Sequence, residues 1–212
     1  MALQTFTDLK TSIGRWLHRG DLASVAPDLI TLAEARIYQG SADSQMPTDP
    51  LRLSSMEAVA TGTVSGDTIP MPDGLIEIRK IQVGDDGPEA RVLDYADRDR
   101  ITDLRRYPGC PKAYTLDTQD ITLGPAPDGE YPYRLVYFQR FPALSADNAT
   151  NWLLTNAPNV YLYGSLIEAA PYLNNDARLT TWYRLFAAAL QAVQSQDNRL
   201  RFGGGALVMR PR

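Results

Sequence analysis

One cysteine and one histidine in 212 residues exclude several kinds of chemistry at once. Cys110 has no partner for an internal disulfide, and with His18 as its sole companion it makes neither a Cys/His zinc cluster nor a CxxC redox pair. A Ser-His-Asp arrangement would have to recruit His18, at the end of an amphipathic segment, and no G-x-S-x-G elbow accompanies any serine. The same histidine is the only base for a Cys110 nucleophile, and it is expected in a different domain. Gly203-Gly204-Gly205 lacks the lysine and the strand-to-helix setting of a phosphate loop. Asp94, Asp97, Asp99 and Asp103 alternate with Arg98, Arg100, Arg105 and Arg106, without the glycine and terminal glutamate of a calcium loop, so they predict an ion-paired helix face. No catalytic residue, metal or cofactor is therefore expected. Nor does any apolar run approach the roughly 20 residues needed to cross a bilayer. The start, Met1-Ala2-Leu3-Gln4-Thr5-Phe6, has no basic and apolar leader pattern, so synthesis in the cytoplasm without a membrane partner is expected. A net charge of −4 speaks against nonspecific DNA binding as the main activity.

What is present is an ordinary globular composition, 44% hydrophobic and 22% charged, which argues against a disordered chain or a coiled-coil rod. Leu9, Ile13, Trp16 and Leu17 share one face of a first helix, with Thr5 or Thr7 as N-cap and Gly20 as stop. A second helix opens near Pro27, carries Leu29, Ile30, Ala33 and Ile37 on one face and ends at Gly40, completing a hairpin. Serine, aspartate and proline crowd residues 41–50 and mark a boundary. Strand patterns follow at residues 56–61, 75–83, 90–93, 113–116, 121–123 and 131–138, with a short helix within 95–106. Tyr131, Tyr133, Leu135 and Tyr137 share a strand face, with Pro132 at a strand end or edge.

The helical period returns in residues 160–170, with a stripe of Leu162, Leu166, Ala169 and Leu173 that Pro171 ends or kinks. It returns again through Leu179, Trp182, Tyr183, Phe186, Leu190 and Val193, behind the capping candidates Asn174, Asn175 and Asp176. This last helix is expected to pack on the N-terminal hairpin, and Trp16, Trp152 and Trp182 are expected in the core. The fold class is α+β: a discontinuous helical bundle of N- and C-terminal helices with an inserted antiparallel β-rich domain and an extended C-terminal tail. The expected limits are 1–50 and 143–198 for the bundle, 51–142 for the insert and 199–212 for the tail.

The run Thr150-Asn151-Trp152-Leu153-Leu154-Thr155-Asn156-Ala157-Pro158-Asn159-Val160-Tyr161-Leu162-Tyr163 carries a more specific signal. Together with Pro111-Lys112-Ala113-Tyr114, Leu123-Gly124-Pro125-Ala126-Pro127-Asp128 and Glu168-Ala169-Ala170-Pro171-Tyr172-Leu173, it resembles the head-to-tail adaptor proteins of short-tailed bacteriophages. The resemblance is strongest from Lys112 to Trp182. It implies a structural virion protein forming a ring, typically of twelve copies, that joins the portal above to tail or nozzle proteins below while genomic DNA passes through. Asn151, Trp152, Leu153, Leu154, Tyr161 and Tyr163 form the family motif, with a structural role. Assembly in the host cytoplasm into the neck of the virion is implied as well.

Twelve copies at −4 would carry roughly 48 negative charges, enough for an acidic lumen that DNA traverses without adhering. Gly203, Gly204 and Gly205 read as a hinge, beyond which Leu207, Val208 and Met209 would dock on the portal or a neighbour, with Arg210 and Arg212 pairing with acidic groups; Phe202 belongs to the same docking set. The alternatives are a β-rich receptor or carbohydrate binder, which needs an exposed aromatic platform, and a cell-wall hydrolase, which needs convergent titratable groups in a cleft.

Overall fold

Helical periodicity at both ends and alternating, proline-punctuated strands in the middle send the two kinds of segment into separate bodies. The computed structural model describes residues 3–19, 22, 24–42, 47–84, 90–173 and 177–202. It is α+β, with two compact units: Met1–Ser55 joined by Phe141–Arg212, and Met56–Arg140.

In the helical unit, α1 (Phe6–Leu17) opens with a capping box: Thr5 Oγ1 accepts from the Asp8 amide while the Thr5 amide donates to Asp8 Oδ2 at 3.1 Å. The Thr5 hydroxyl also donates to Asp8 Oδ2 at 2.8 Å, and this bond foremost holds the Asp8 carboxyl below its ordinary 3.8. The helix stops earlier than expected from Gly20, because His18 takes a left-handed conformation with φ of 55° and caps it. Gly20 itself lies outside the described residues. α2 (Ala26–Gln39) buries Leu29, Ile30, Ala33 and Ile37 as expected and ends at Gly40. There φ is 74°, and a Cβ would stand 2.5 Å from the Thr48 carbonyl oxygen, so only glycine fits.

The motif segment folds into two pieces, α4 (Trp152–Asn156) and α5 (Pro158–Glu168). α5 is no single-striped helix: Val160, Tyr161, Leu162, Gly164, Ser165, Leu166 and Ile167 are all buried, because it is the central post against which α1, α2, α4 and α6 (Leu179–Phe202) pack. α5 ends at Glu168, and residues 170–172 turn as a 3-10 helix around Pro171, consistent with the aversion of pre-proline residues to helical geometry. The expected packing of α6 on the hairpin is thus mediated by α5. At its middle, Gly164 lets Ala33 of α2 and Phe186 of α6 close in, each 3.2 Å from where a Cβ would be.

Two sequence expectations are corrected here. Trp182 is buried, but Trp16 and Trp152 are 43% and 41% exposed, each leaning its edge or face on one neighbour (Tyr163 and Phe141) instead of entering the core. The helix does not stop before Arg199: residues 199–202 are still helical, because Arg199 and Arg201 suit a helix C-terminus and Asp197 accepts from Arg201 one turn on. The capping candidates Asn174, Asn175 and Asp176, and the tail residues 203–212, lie outside the described residues.

Among the described residues, the β unit holds two four-stranded sheets. One runs β1 (Glu57–Val64), β8 (Tyr131–Gln139), β3 (Leu75–Val83) and β4 (Arg91–Val92); the other runs β2 (Thr68–Pro70), β7 (Asp120–Gly124), β6 (Ala113–Leu116) and β5 (Asp94–Tyr95). Pairings are antiparallel except β5 with β6, which are parallel because α3 (Arg98–Leu104) crosses over between them. β2 ends on Pro70 and was not foreseen; as the edge of its sheet it tolerates a proline. Pro132 sits one residue into β8, an interior strand, so its place is a strand end and not an edge. Val64, Ile69, Ile81, Val83, Leu93, Ile121, Leu123, Leu135 and Tyr137 make the shared core.

Candidate functional site

Asn151 is where the motif does its structural work. Its side-chain oxygen caps α4 by accepting from the Leu154 amide at 2.9 Å. Its amide nitrogen donates to the Pro142 carbonyl at 2.9 Å and to the Tyr161 hydroxyl at 2.8 Å. The Tyr161 hydroxyl in turn donates to Glu34 Oε1 at 3.1 Å, and the same oxygen accepts from the Leu144 amide at 3.0 Å. Four chain segments are therefore tied at one knot: α2, residues 141–144, the start of α4 and α5. Burial foremost, then the neighbouring Tyr38 and Glu34, pushes the Tyr161 phenol far above its usual range, so it stays a donor. Leu153 and Leu154 fill the core below.

The other two motif residues face outward. Trp152 stacks on Phe141 with ring centres 5.4 Å apart, and Tyr163 meets Trp16 edge-on at 5.9 Å. Thus Asn151, Leu153, Leu154 and Tyr161 are brought together, whereas Trp152 and Tyr163 belong to the surface. Reasoning from sequence missed Glu34, the acid beside Ala33 on the apolar face of α2. It also missed Arg36, whose Nε donates to Glu168 Oε1 at 2.5 Å and clasps α2 to α5.

α6 carries a second unforeseen polar anchor. Asp197, its one acidic residue, is nearly buried and accepts from the amide and the hydroxyl of Ser54 and from Arg201. Arg184, Arg199 and Leu200 point to solvent, and the helix ends at Phe202, the first residue of the expected docking set. Leu207, Val208, Met209, Arg210, Arg212 and the hinge Gly203, Gly204 and Gly205 lie outside the described residues. Where α1 ends and α6 begins, an open groove of ≈ 550 Å³ is lined by Arg15, Trp16 and His18 on one side and Arg178, Trp182 and Leu185 on the other. Arg178 donates to the Trp16 carbonyl at 3.2 Å and lies 5.0 Å over the Trp182 ring, a cation–π contact that builds the groove floor.

The residues weighed for catalysis sit in plain structural roles. His18 caps α1 and Cys110 occupies a turn in the other unit. Asp97 caps α3 by accepting the Arg100 amide at 2.7 Å, and Arg98, Arg105 and Arg106 pair with Asp117, Asp67 and Asp103. Among the described residues no three His, Cys, Asp or Glu side chains converge to hold a metal ion, and no helix is long and apolar enough to cross a membrane.

The helical bundle is interrupted in sequence by the β unit, and Asn151, Leu153, Leu154 and Tyr161 of its most specific motif are spent on bonding and packing within the chain. The chain belongs to the SU10 adaptor protein family, whose family model matches residues 4–210. It is therefore a bacteriophage adaptor, a structural component of the virion that associates with other virion proteins. Compared with the curated proteins, the chain matches none.

Proposed function

We propose that twelve copies of this adaptor close into a ring between the portal and the tail or nozzle proteins, leaving an axial passage for the genome. The observation that carries this is the family match across residues 4–210, nearly the whole chain. A closed ring needs a face that complements a different face of the next copy, and the helical unit supports that with outward aromatics, an open groove and a long α6 only one side of which is buried. The hinge at Gly203, Gly204 and Gly205 delivers Leu207, Val208 and Met209 to the portal or a neighbour, with Phe202 at its root and Arg210 and Arg212 on acidic groups.

Electron microscopy of the purified protein mixed with portal rings tests the assignment: a collar on the portal is expected, and bare portals at saturating adaptor would refute it. Removing residues 206–212 should leave a folded protein that no longer joins; normal joining refutes the docking role of the tail. The charge is unevenly held: the β unit has ten Lys and Arg against fifteen Asp and Glu, or −5, and the helical unit eleven against ten, or +1. An acidic lumen would accordingly be supplied by the β unit, and neutralising its acidic turns should slow genome passage without preventing assembly. Exposed Tyr95 and Tyr107 on the β unit favour, as a second possibility, a receptor or glycan platform there, which binding of glycans by the lone subunit would reveal.

A further inference from the structure

Among the described residues the two sheets of the β unit have four edges, and three of them are blunted. β4 and β5 have two residues each, and β2 has three and closes on Pro70. Short strands and prolines keep unpaired backbone from recruiting other strands. β1, the fourth edge, has no such protection. It runs eight residues, pairs with β8 without a bulge, and carries no proline or lysine and one charge, Glu57, at its first position. On the side away from β8, every second residue turns its amide and carbonyl outward. From Ala58 to Val64, no described residue bonds to those groups.

The open backbone dictates the form of an occupant: an extended segment that adds to the sheet by main-chain bonds. The side chains of β1 dictate its composition. The inner face is small: Ala58 and Ala60 pack against the sheet core, and at Gly62 the Tyr133 ring stands 2.9 Å from where a Cβ would be. The outer face carries Val59, 51% exposed, and the exposed Thr61. A matching strand has large apolar residues at alternate positions inward and a β-branched residue between them outward. Leu207-Val208-Met209 has that order, behind three glycines and outside the described residues. With Val208 opposite Val59 in an antiparallel pairing, Leu207 meets Ala60, Met209 meets Ala58 and Arg210 meets Glu57. Pro211 then falls past the end of β1. A parallel pairing would bring it beside Gly62, inside the strand, where its missing amide breaks the ladder. Glu57 already leans on Arg79 at 4.0 Å, so the register rests on the apolar pairs and not on that charge.

We propose that the open edge of β1 receives Ala206 to Arg210 of the neighbouring copy as an added antiparallel strand. This rests on the ring assignment above and chooses, of the two destinations given there for the tail, the neighbour. Edge and tail are unlike surfaces, so each contact leaves a tail and an edge for the next copies, as a ring requires. Pairing of β1 with β1 is self-complementary and stops at a dimer. A ladder this short is weak alone, and closure around the ring holds it.

Disulfide trapping tests it. In the full chain with Cys110→Ser, Val59→Cys with Val208→Cys should oxidise on portal rings into a ladder of crosslinked multimers, because opposed residues on neighbouring strands lie within disulfide reach. Thr63→Cys in place of Val59→Cys moves the thiol about 13 Å along the strand and should abolish the ladder. Crosslinked monomers would mean that each tail covers its own edge and would overturn the contact, as would a ladder from both pairs alike. A second arm needs no portal: a labelled peptide of residues 203–212, titrated into the full chain, should bind saturably. Val59→Lys with Thr61→Lys, both on the exposed face, should weaken that binding about tenfold or more while melting stays near that of the parent. No saturable binding, or binding indifferent to the lysines, overturns the contact. If the cysteine chain collars portals without crosslinks, the contact is wrong and the ring stands. If the parent fails to collar portals, the ring assignment falls and the peptide still decides whether tail and edge recognise each other.

Discussion

In the helical unit, groups 127 positions apart meet: Tyr161 donates to Glu34, and Asn151 ties that pair to the 142 carbonyl and to the first turn of α4. In the β unit, by contrast, β1, β8 and β3 are joined by continuous backbone ladders, and the whole unit is one unbroken stretch of chain. One region is closed by a few side chains that only the finished fold brings together. The other is closed mainly by groups every residue possesses. A structure of the first kind concentrates its vulnerability at single positions; one of the second kind spreads it along the ladders and into its apolar core.

Substitutions should separate the two. Leu135→Ala, at the fully buried centre of β8, removes atoms from the shared core of both sheets and should cost about 2–5 kcal/mol, loosening the β unit first. Hydrogen exchange should show that unit's amides opening while α5 stays protected; equal loss in both would mean the units melt as one. Gly164→Leu should do the reverse, costing about 1–3 kcal/mol by overpacking against Ala33 and Phe186. A change in the β unit of the same size would break the contrast. Next comes Tyr161→Phe, which removes one hydroxyl and strands the Asn151 amide; about 1–3 kcal/mol is expected in thermal or urea melting. Less than about 0.5 kcal/mol would demote the knot from anchor to ornament.

The contrast also explains what the sequence disclosed. Period and punctuation are local, so α1, α2, β3, β6 and β8 were placed nearly residue for residue, and the helix–strand–helix order gave the α+β class. Burial on all sides leaves no period to read, which is why α5 passed for an amphipathic helix with one stripe. Trp16 lies at the margin of the α1 stripe that buries Phe6, Leu9, Ile13 and Leu17, so it stays largely exposed and meets Tyr163 edge-on. Asn151 was flagged by its family pattern, whereas Glu34, Asp197 and the Arg178 groove depend on meetings across more than a hundred residues and leave no local trace. The parallel pairing of β5 with β6 was hidden because β5, at two residues, has no alternation to read.

Two tyrosines give the finest version of the comparison, because both phenols are held protonated for different reasons. In the β unit, Tyr131 is pushed up to about 12, first by the bond it donates to Asp128 at 2.5 Å, with burial second. Its folded pKa lies above the ordinary 10.0, so the stabilisation from that bond is fully present below pH 10 and disappears as pH rises through about 12. Asp128→Asn removes the charge that opposes ionisation and should return Tyr131 toward 10, visible as tyrosinate absorbance appearing at lower pH. Tyr161 is raised chiefly by burial in the helical core, so no single partner controls it. Asn151→Ala should leave it silent until the helical unit unfolds, its ionisation arriving together with the loss of helical circular dichroism. An early, separate Tyr161 titration in that variant would mean that solvent already reaches the middle of α5, and that the knot is less closed than its bonds imply.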